Sequence, residues 1–182
     1  KMSFNEYKSY ISGKRVAVIG LGISNMPLIK FLSEIGVKDI IAFDLNDSEE
    51  TVSKVKKLKE NGNITEWHLG KDYLTFLPGC ADVVFKTPIV RFDEPEIVKA
   101  EEVGAEITSE IEVLMKLCPC KIFGITGSDG KTTTTTITYL LLSSASEGKV
   151  WVGGNIGTPL LKYLPEMTEN DTVVLELSSF QL

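Results

Sequence analysis

Short apolar runs alternate with longer amphipathic stretches along most of the chain, and the apolar period switches between strand-like and helix-like as they do. Residues 1–13 are mostly polar, with Phe4, Tyr7, Tyr10 and Ile11 as isolated anchors, and read as a lead-in. The β-branched run Lys14-Arg15-Val16-Ala17-Val18-Ile19-Gly20 predicts a buried strand ended by glycine. A helix is expected over 24–35, stopped by Gly36, then a strand over 39–43 ending at Asp44. A charged amphipathic helix follows over 48–62, a short strand over 64–69 and a turn or short helix over 73–77. The run 81–86 predicts a strand ending at Thr87-Pro88. The helix over 95–103 has proline in its first turn and is closed by Gly104. A short strand over 106–108 leads to a helix from Ser109, where Ser109 and Glu112 have capping-box spacing, ending before Pro119.

Strands alternating with helices across short connections predict a parallel, doubly wound α/β sheet, whose ligands bind at the carboxyl ends of the strands. That edge would carry Gly20 to Ser24, Asp44 and Thr87-Pro88. After Pro119 the pattern restarts: a strand over 121–125, a glycine loop, a long proline-free helix over 132–145, a strand over 149–152, a short helix over 159–164 and a strand over 172–177. These elements place a domain boundary near Cys118, giving domains at 1–118 and 119–182. The second has too few strands for a complete nucleotide hydrolase domain. It is expected to be the start of a truncated P-loop ATPase domain, and the chain a piece of a longer protein.

Composition narrows the classes. The chain of 182 residues is 43% apolar with a formal net charge of −6, ordinary for a globular protein. No apolar run approaches the ~18 residues that cross a bilayer, and no signal peptide precedes Lys14. No basic stripe stands out, so neither nucleic acid nor membrane insertion is expected; a cytoplasmic monomer is. The three cysteines, Cys80, Cys118 and Cys120, lack the spacing of a zinc knuckle or a redox C-x-x-C and read as reduced. His68, the one histidine, and Trp67 and Trp151 read as structural.

The strongest chemical signal is Thr126-Gly127-Ser128-Asp129-Gly130-Lys131-Thr132-Thr133 between a strand and a helix. Backbone N–H groups of such a loop point inward, the helix N-terminus adds partial positive charge, and the lysine reaches terminal phosphates. The usual pattern has glycine five residues before Gly130, where Ile125 stands; Gly127 makes the loop a tighter G-x-x-G-K-T. A glycine turn capping an ordinary helix is the plain alternative. A second signal is Gly20-Leu21-Gly22 with Asp44, the opening of a dinucleotide-type βαβ, except that Asn25 replaces the third glycine. It supports a nucleotide-type ligand rather than NAD in particular.

Together with Gly153-Gly154-Asn155-Ile156-Gly157 and Leu175-Glu176-Leu177-Ser178-Ser179-Phe180-Gln181-Leu182, these motifs resemble the Mur ligases of bacterial cell-wall synthesis, most of all the branch that adds D-glutamate. The resemblance spans the chain and implies a Rossmann-like domain for the UDP-substrate followed by the start of the ATPase domain. It implies ATP-dependent amide formation in peptidoglycan synthesis in the bacterial cytoplasm. The carboxylate of UDP-N-acetylmuramoyl-L-alanine takes the γ-phosphoryl group of ATP, and D-glutamate's amine attacks the resulting acyl phosphate. Lys131 and Glu176 would be catalytic. Gly127, Ser128, Asp129, Gly130, Lys131, Thr132 and Thr133 would hold ATP phosphates, and Thr132 and Glu176 would hold Mg²⁺. Ile23, Ser24, Asp44, Thr87, Pro88, Asn155, Ser178, Ser179 and Gln181 would line the UDP-substrate site. For Ser178 and Ser179, strand-end turn residues are the competing reading; for Thr134 to Thr136, packing is. The family usually has asparagine where Asp129 stands, and S-P-G where Thr87-Pro88-Ile89 stands. A further metal-binding lysine, the adenine site and the D-glutamate domain would lie beyond Leu182, so the 182 residues alone are expected to be inactive. An NAD-dependent oxidoreductase and a non-catalytic nucleotide-binding module are the alternatives.

Overall fold

The central strands form where apolar residues are buried on both faces of a parallel sheet, which requires near-continuous apolar runs such as Val16 to Ile19, Ile40 to Phe43 and Val173 to Leu175. The computed structural model describes residues 2–22, 25–154 and 159–178. The chain divides into two compact units, Asn5–Glu110, and Ile111–Leu182 together with Lys1–Phe4. The mixed α/β architecture with parallel sheets is the one expected. The seam falls at Glu110/Ile111 rather than near Cys118, so the helix before Pro119 groups with the second unit.

In the first unit, α1 (Phe4–Ser12) precedes β1 (Arg15–Ile19), α2 (Asn25–Glu34), β2 (Asp39–Asp44), α3 (Glu49–Glu60), β3 (Glu66–Leu69), a 3-10 turn (Tyr73–Phe76), β4 (Val83–Phe85), α4 (Pro95–Glu102) and β5 (Glu106–Thr108). The stretch read as a lead-in is thus largely helical. Its anchors Tyr7 and Ile11, one helical turn apart, are buried, and the Tyr10 hydroxyl donates to Glu106 Oε2 at 2.7 Å. The strands lie in the order β3-β2-β1-β4-β5, all parallel. That is the dinucleotide-fold order, whose reversal between β1 and β4 opens a crevice at the carboxyl ends. One face of the sheet buries Ala17, Ile19, Ile41, Phe43 and Val84 against Leu74, Leu77, Ile97 and Ala100. The Ser48 hydroxyl caps α3, accepting from Thr51 N–H.

In the second unit, α5 (Glu110–Leu117) precedes β6 (Lys121–Ile125), α6 (Lys131–Ala145), β7 (Val150–Gly154), a 3-10 turn (Leu161–Glu166) and β8 (Thr172–Glu176). The three strands are parallel in the order β6-β8-β7. The helix expected over 159–164 is a 3-10 turn shifted toward Pro165, whose missing N–H cannot serve an α-helical ladder. Asp171, 8% exposed, joins the strand starts: its carboxylate accepts from Thr168 N–H (3.0 Å), Lys149 N–H (3.0 Å) and Trp151 Nε1–H (3.2 Å). The Thr168 amide above all, then Trp151 and Lys149, hold this carboxyl below its ordinary value against the opposing effect of burial. Asp171→Ala is expected to cost about 2 kcal/mol by stranding these donors. Because the folded pKa is depressed, the contribution is complete above the unfolded value near 4 and fades as pH falls through the lower folded value. Denaturant midpoints of wild type and variant should therefore converge in acid; a constant gap down to pH 2 would contradict the assignment.

Candidate functional site

In the first unit the candidate residues gather where β1, β2 and β4 end. Gly20 has φ +87°, and a side chain there would bring a Cβ within 2.7 Å of Thr87 Cγ2, so the turn after β1 lies against the turn after β4. Asp44 holds that turn from β2: Oδ2 accepts from Leu21 N–H at 2.6 Å and Oδ1 from Asn46 N–H at 2.8 Å. Asn25, in the place of the missing third glycine, is 4% exposed and donates its side-chain amide to Ile19 O at 2.8 Å. A hydrogen bond therefore joins the start of α2 to the end of β1 where a glycine would have allowed bare contact. Ile23 and Ser24 lie outside the described residues.

After Thr87 the loop is shaped from within. Lys86, 5% exposed, donates from Nζ to Val90 O at 2.9 Å and lies 3.7 Å from the Phe92 ring centroid. Ile89, standing where a glycine was expected, is 91% exposed, so its side chain needs no room inside.

Sequence reading did not find the cavity of about 480 Å³ next to Asp44, lined in part by Asp47, Trp67, His68, Gly70, Tyr73 and Phe76. Gly70 N–H donates to Asp44 O at 3.0 Å, which joins its rim to the end of β2. His68 is stacked between Phe43 and Phe76, with centroids 5.1 and 4.4 Å away, and its Nε2 lies 2.8 Å from Glu66 Oε1. The histidine read as structural is packed as one, and one edge of the stack faces the cavity. The only sequence signal was the alternation of Trp67, His68 and Leu69 before Gly70, which predicts a strand and nothing more.

In the second unit, parallel pairing sends the carboxyl ends of all three strands to one edge. Ile125 and Gly154 both lie opposite Glu176, and Leu177 N–H donates to Ile125 O at 2.8 Å. The loop after β6, the Gly154 end of β7 and the Glu176–Ser178 end of β8 therefore meet. Glu176 is 4% exposed, and the Thr132 hydroxyl donates to its Oε2 at 2.9 Å. Lys131 Nζ donates to Gly127 O at 2.7 Å and Ser128 O at 3.2 Å, closing the side chain over the loop. Gly130, at φ +71°, begins α6 without a side-chain cap, and no acidic residue lies in the first turn. The first turn thus keeps backbone amides without a side-chain cap beside Lys131, while the Glu176 carboxylate reaches the same turn through Thr132. Ser128, Asp129 and Thr133 are exposed around it.

Of the threonine run, Thr135 is fully buried and packs inside, while the Thr136 hydroxyl donates to Thr132 O of its own helix at 2.8 Å. The hard oxygens of Thr132 and Glu176 form a pair whose chemistry fits Mg²⁺. Ser178 lies two residues past Glu176; Asn155, Ser179 and Gln181 lie outside the described residues. No helix among the described residues is long and apolar enough to cross a membrane.

Residues 14–109 match the MurD-like N-terminal domain of Mur ligases, and residues 125–182 match the Mur ligase middle domain. The chain is 56% identical over 184 residues to a UDP-N-acetylmuramoylalanine–D-glutamate ligase of Clostridium novyi (strain NT), and 54% identical over 182 residues to that of Clostridium botulinum (strain Kyoto / Type A2). Each alignment covers 100% of this chain and 39% of the relative, so the chain spans about two fifths of their length. A solved murein peptide ligase from Psychrobacter arcticus overlays 90% of this chain and 37% of its own, at TM-score 0.47 and 16% identity.

Proposed function

This chain belongs to the Mur ligase family, with a MurD-like N-terminal domain, and from that premise we propose that it is the leading part of an ATP-dependent ligase that adds D-glutamate to UDP-N-acetylmuramoyl-L-alanine. The first unit binds the UDP end of the substrate. Gly20 N–H donates to Phe43 O and Leu21 N–H to Asp44, so the amides that receive the diphosphate are those beyond Leu21 in the same turn. Thr87 and Pro88 border it, with Ile23 and Ser24 completing the turn, and the cavity beside Asp44 takes the nucleoside.

The second unit begins the ATP domain. Lys131 and the amides of Gly127 to Gly130 bind the β- and γ-phosphates, with Thr133 beside them. Thr132 and Glu176 are the protein ligands for Mg²⁺, which when bound offsets phosphate charge during transfer. Asn155, Ser178, Ser179 and Gln181 orient the muramoyl-peptide carboxylate. Lys131 stabilises negative charge as the γ-phosphoryl group moves to that carboxylate, and amine attack then gives amide and phosphate.

The observation that carries this reading is the Thr132–Glu176 hydrogen bond of 2.9 Å beneath the lysine-bearing loop. It joins the first turn of a phosphate-binding helix to a buried carboxylate 44 residues away. Titration calorimetry of the full-length protein with UDP-N-acetylmuramoyl-L-alanine tests the first half. Wild type should bind, and Asp44→Ala should bind at least about tenfold more weakly, a loss of about 1.4 kcal/mol, because the Leu21 amide loses its anchor. No heat from folded wild-type protein with either UDP or the UDP-substrate would overturn the reading. Phosphate release that requires both the UDP-substrate and D-glutamate separates a ligase from a non-catalytic nucleotide-binding module.

A further inference from the structure

We propose that Cys118 and Cys120 are an oxidisable dithiol that closes to a reversible disulfide across Pro119. The two sulfurs are 3.3 Å apart, and Cys118 Sγ is also 3.7 Å from Cys120 O. Cys118 is fully buried and Cys120 is 8% exposed. A disulfide needs the sulfurs at about 2.05 Å, roughly 1.3 Å closer, a movement within reach of side-chain rotation. The ring it closes spans one intervening residue, so the entropic gain is small and the bond is strained. Strained disulfides are readily reduced, which suits a cycling pair rather than a permanent brace.

The pair sits at a consequential turn. Cys118 N–H donates to Leu114 O at 2.8 Å, ending α5, and Cys120 immediately precedes β6, whose far end carries the phosphate loop. Closing the pair ties the end of α5 to the foot of that strand.

The oxidant is a small peroxide, able to reach the edge of Cys120. Cys120 sulfur attacks hydrogen peroxide, giving a sulfenic acid and water. Cys118 sulfur then attacks that sulfenic sulfur, forming the S–S bond and expelling a second water. The sum is two thiols and one peroxide to one disulfide and two waters: the sulfurs lose two electrons and the peroxide oxygens gain them. Burial above all, then the hydrogen bond with Cys118 and the nearby Asp171 charge, push the Cys120 thiol up to about 12. The reactive thiolate is therefore scarce at neutral pH, and oxidation should quicken about tenfold per pH unit between pH 7 and 9.

The test treats full-length protein with hydrogen peroxide, alkylates it in denaturant and digests it with trypsin, which cuts after Lys116 and Lys121. The expected product is the 117–121 peptide, unalkylated and two hydrogens lighter, restored to the doubly alkylated form by prior dithiothreitol. In Cys118→Ser, Cys120 should instead gain peroxide oxygens. Cys80, half-buried, reports oxidant exposure. The proposal is overturned if Cys118 and Cys120 are both recovered alkylated after Cys80 is consumed. It is equally overturned if the peptide gains oxygen without the light species, or links to a different cysteine.

Discussion

Lys131→Ala in the full-length protein should lower ligase turnover by about 10³-fold or more, while UDP-substrate affinity stays within about twofold. The Lys131 ammonium rests on Gly127 O and Ser128 O, at 2.7 and 3.2 Å. It is thus held at the loop whose amides would face the γ-phosphate. Transferring a phosphoryl group spreads negative charge over its oxygens, and a fixed cation there stabilises the transition state more than the ground state. Alanine keeps the Gly130 turn and the helix start but removes that charge. The side chain is half-buried and its bonds stay within its own loop, so the thermal midpoint should hardly move. Steady-state phosphate release, calorimetry with the UDP-substrate and a melting curve together make the check. Equal loss of turnover and UDP-substrate binding would defeat the proposed separation of roles between the two units.

Much of this arrangement was legible because parallel strands advertise themselves. Val16 to Ile19, Ile40 to Phe43 and Val173 to Leu175 are buried runs that no surface element would carry. The glycine loop between β6 and α6 was legible for a related reason: glycines and a lysine between a strand and a helix form a local device, and local devices leave sequence motifs. Helix α1 was obscured because only Tyr7 and Ile11 are buried within nine mostly polar residues, too few for the helical period to stand out. The roles of Asn25 and Asp171 lay deeper. Each is a polar residue whose partners are set by tertiary contact, Ile19 O for one and Thr168, Lys149 and Trp151 for the other. The cavity beside Asp44 was invisible for the same reason, since Trp67, Tyr73 and Asp47 converge only after β2 and β3 pair. Motifs marked the candidate residues, while spatial pairing decided which neighbours hold them in position.

That distinction bears on Gly154→Ala, for which we expect a loss of about 2–4 kcal/mol in unfolding free energy together with loss of ligase activity. Gly154 ends β7 at φ +98°, and a Cβ there would collide with the backbone carbonyl of Glu176 on β8. Two costs combine: a left-handed backbone that L side chains rarely adopt, and a clash with main chain, which cannot rotate away as a side chain can. Relief requires β7 and β8 to part at the position where Glu176 accepts the Thr132 hydroxyl at 2.9 Å. The carboxylate and the helix start would then separate, so activity should fall further than stability alone explains. Gly62→Ala supplies the control: it has φ +71° but open space around it, so it carries the backbone cost, about 1–2 kcal/mol, without the collision. Urea unfolding of both variants, with phosphate release measured where each remains fully folded, separates the two contributions. If Gly154→Ala proved no more disruptive than Gly62→Ala and kept wild-type turnover, close approach of β7 to Glu176 would not be what fixes the carboxylate, and the glycine of the G-G-N-I-G stretch would need a different explanation.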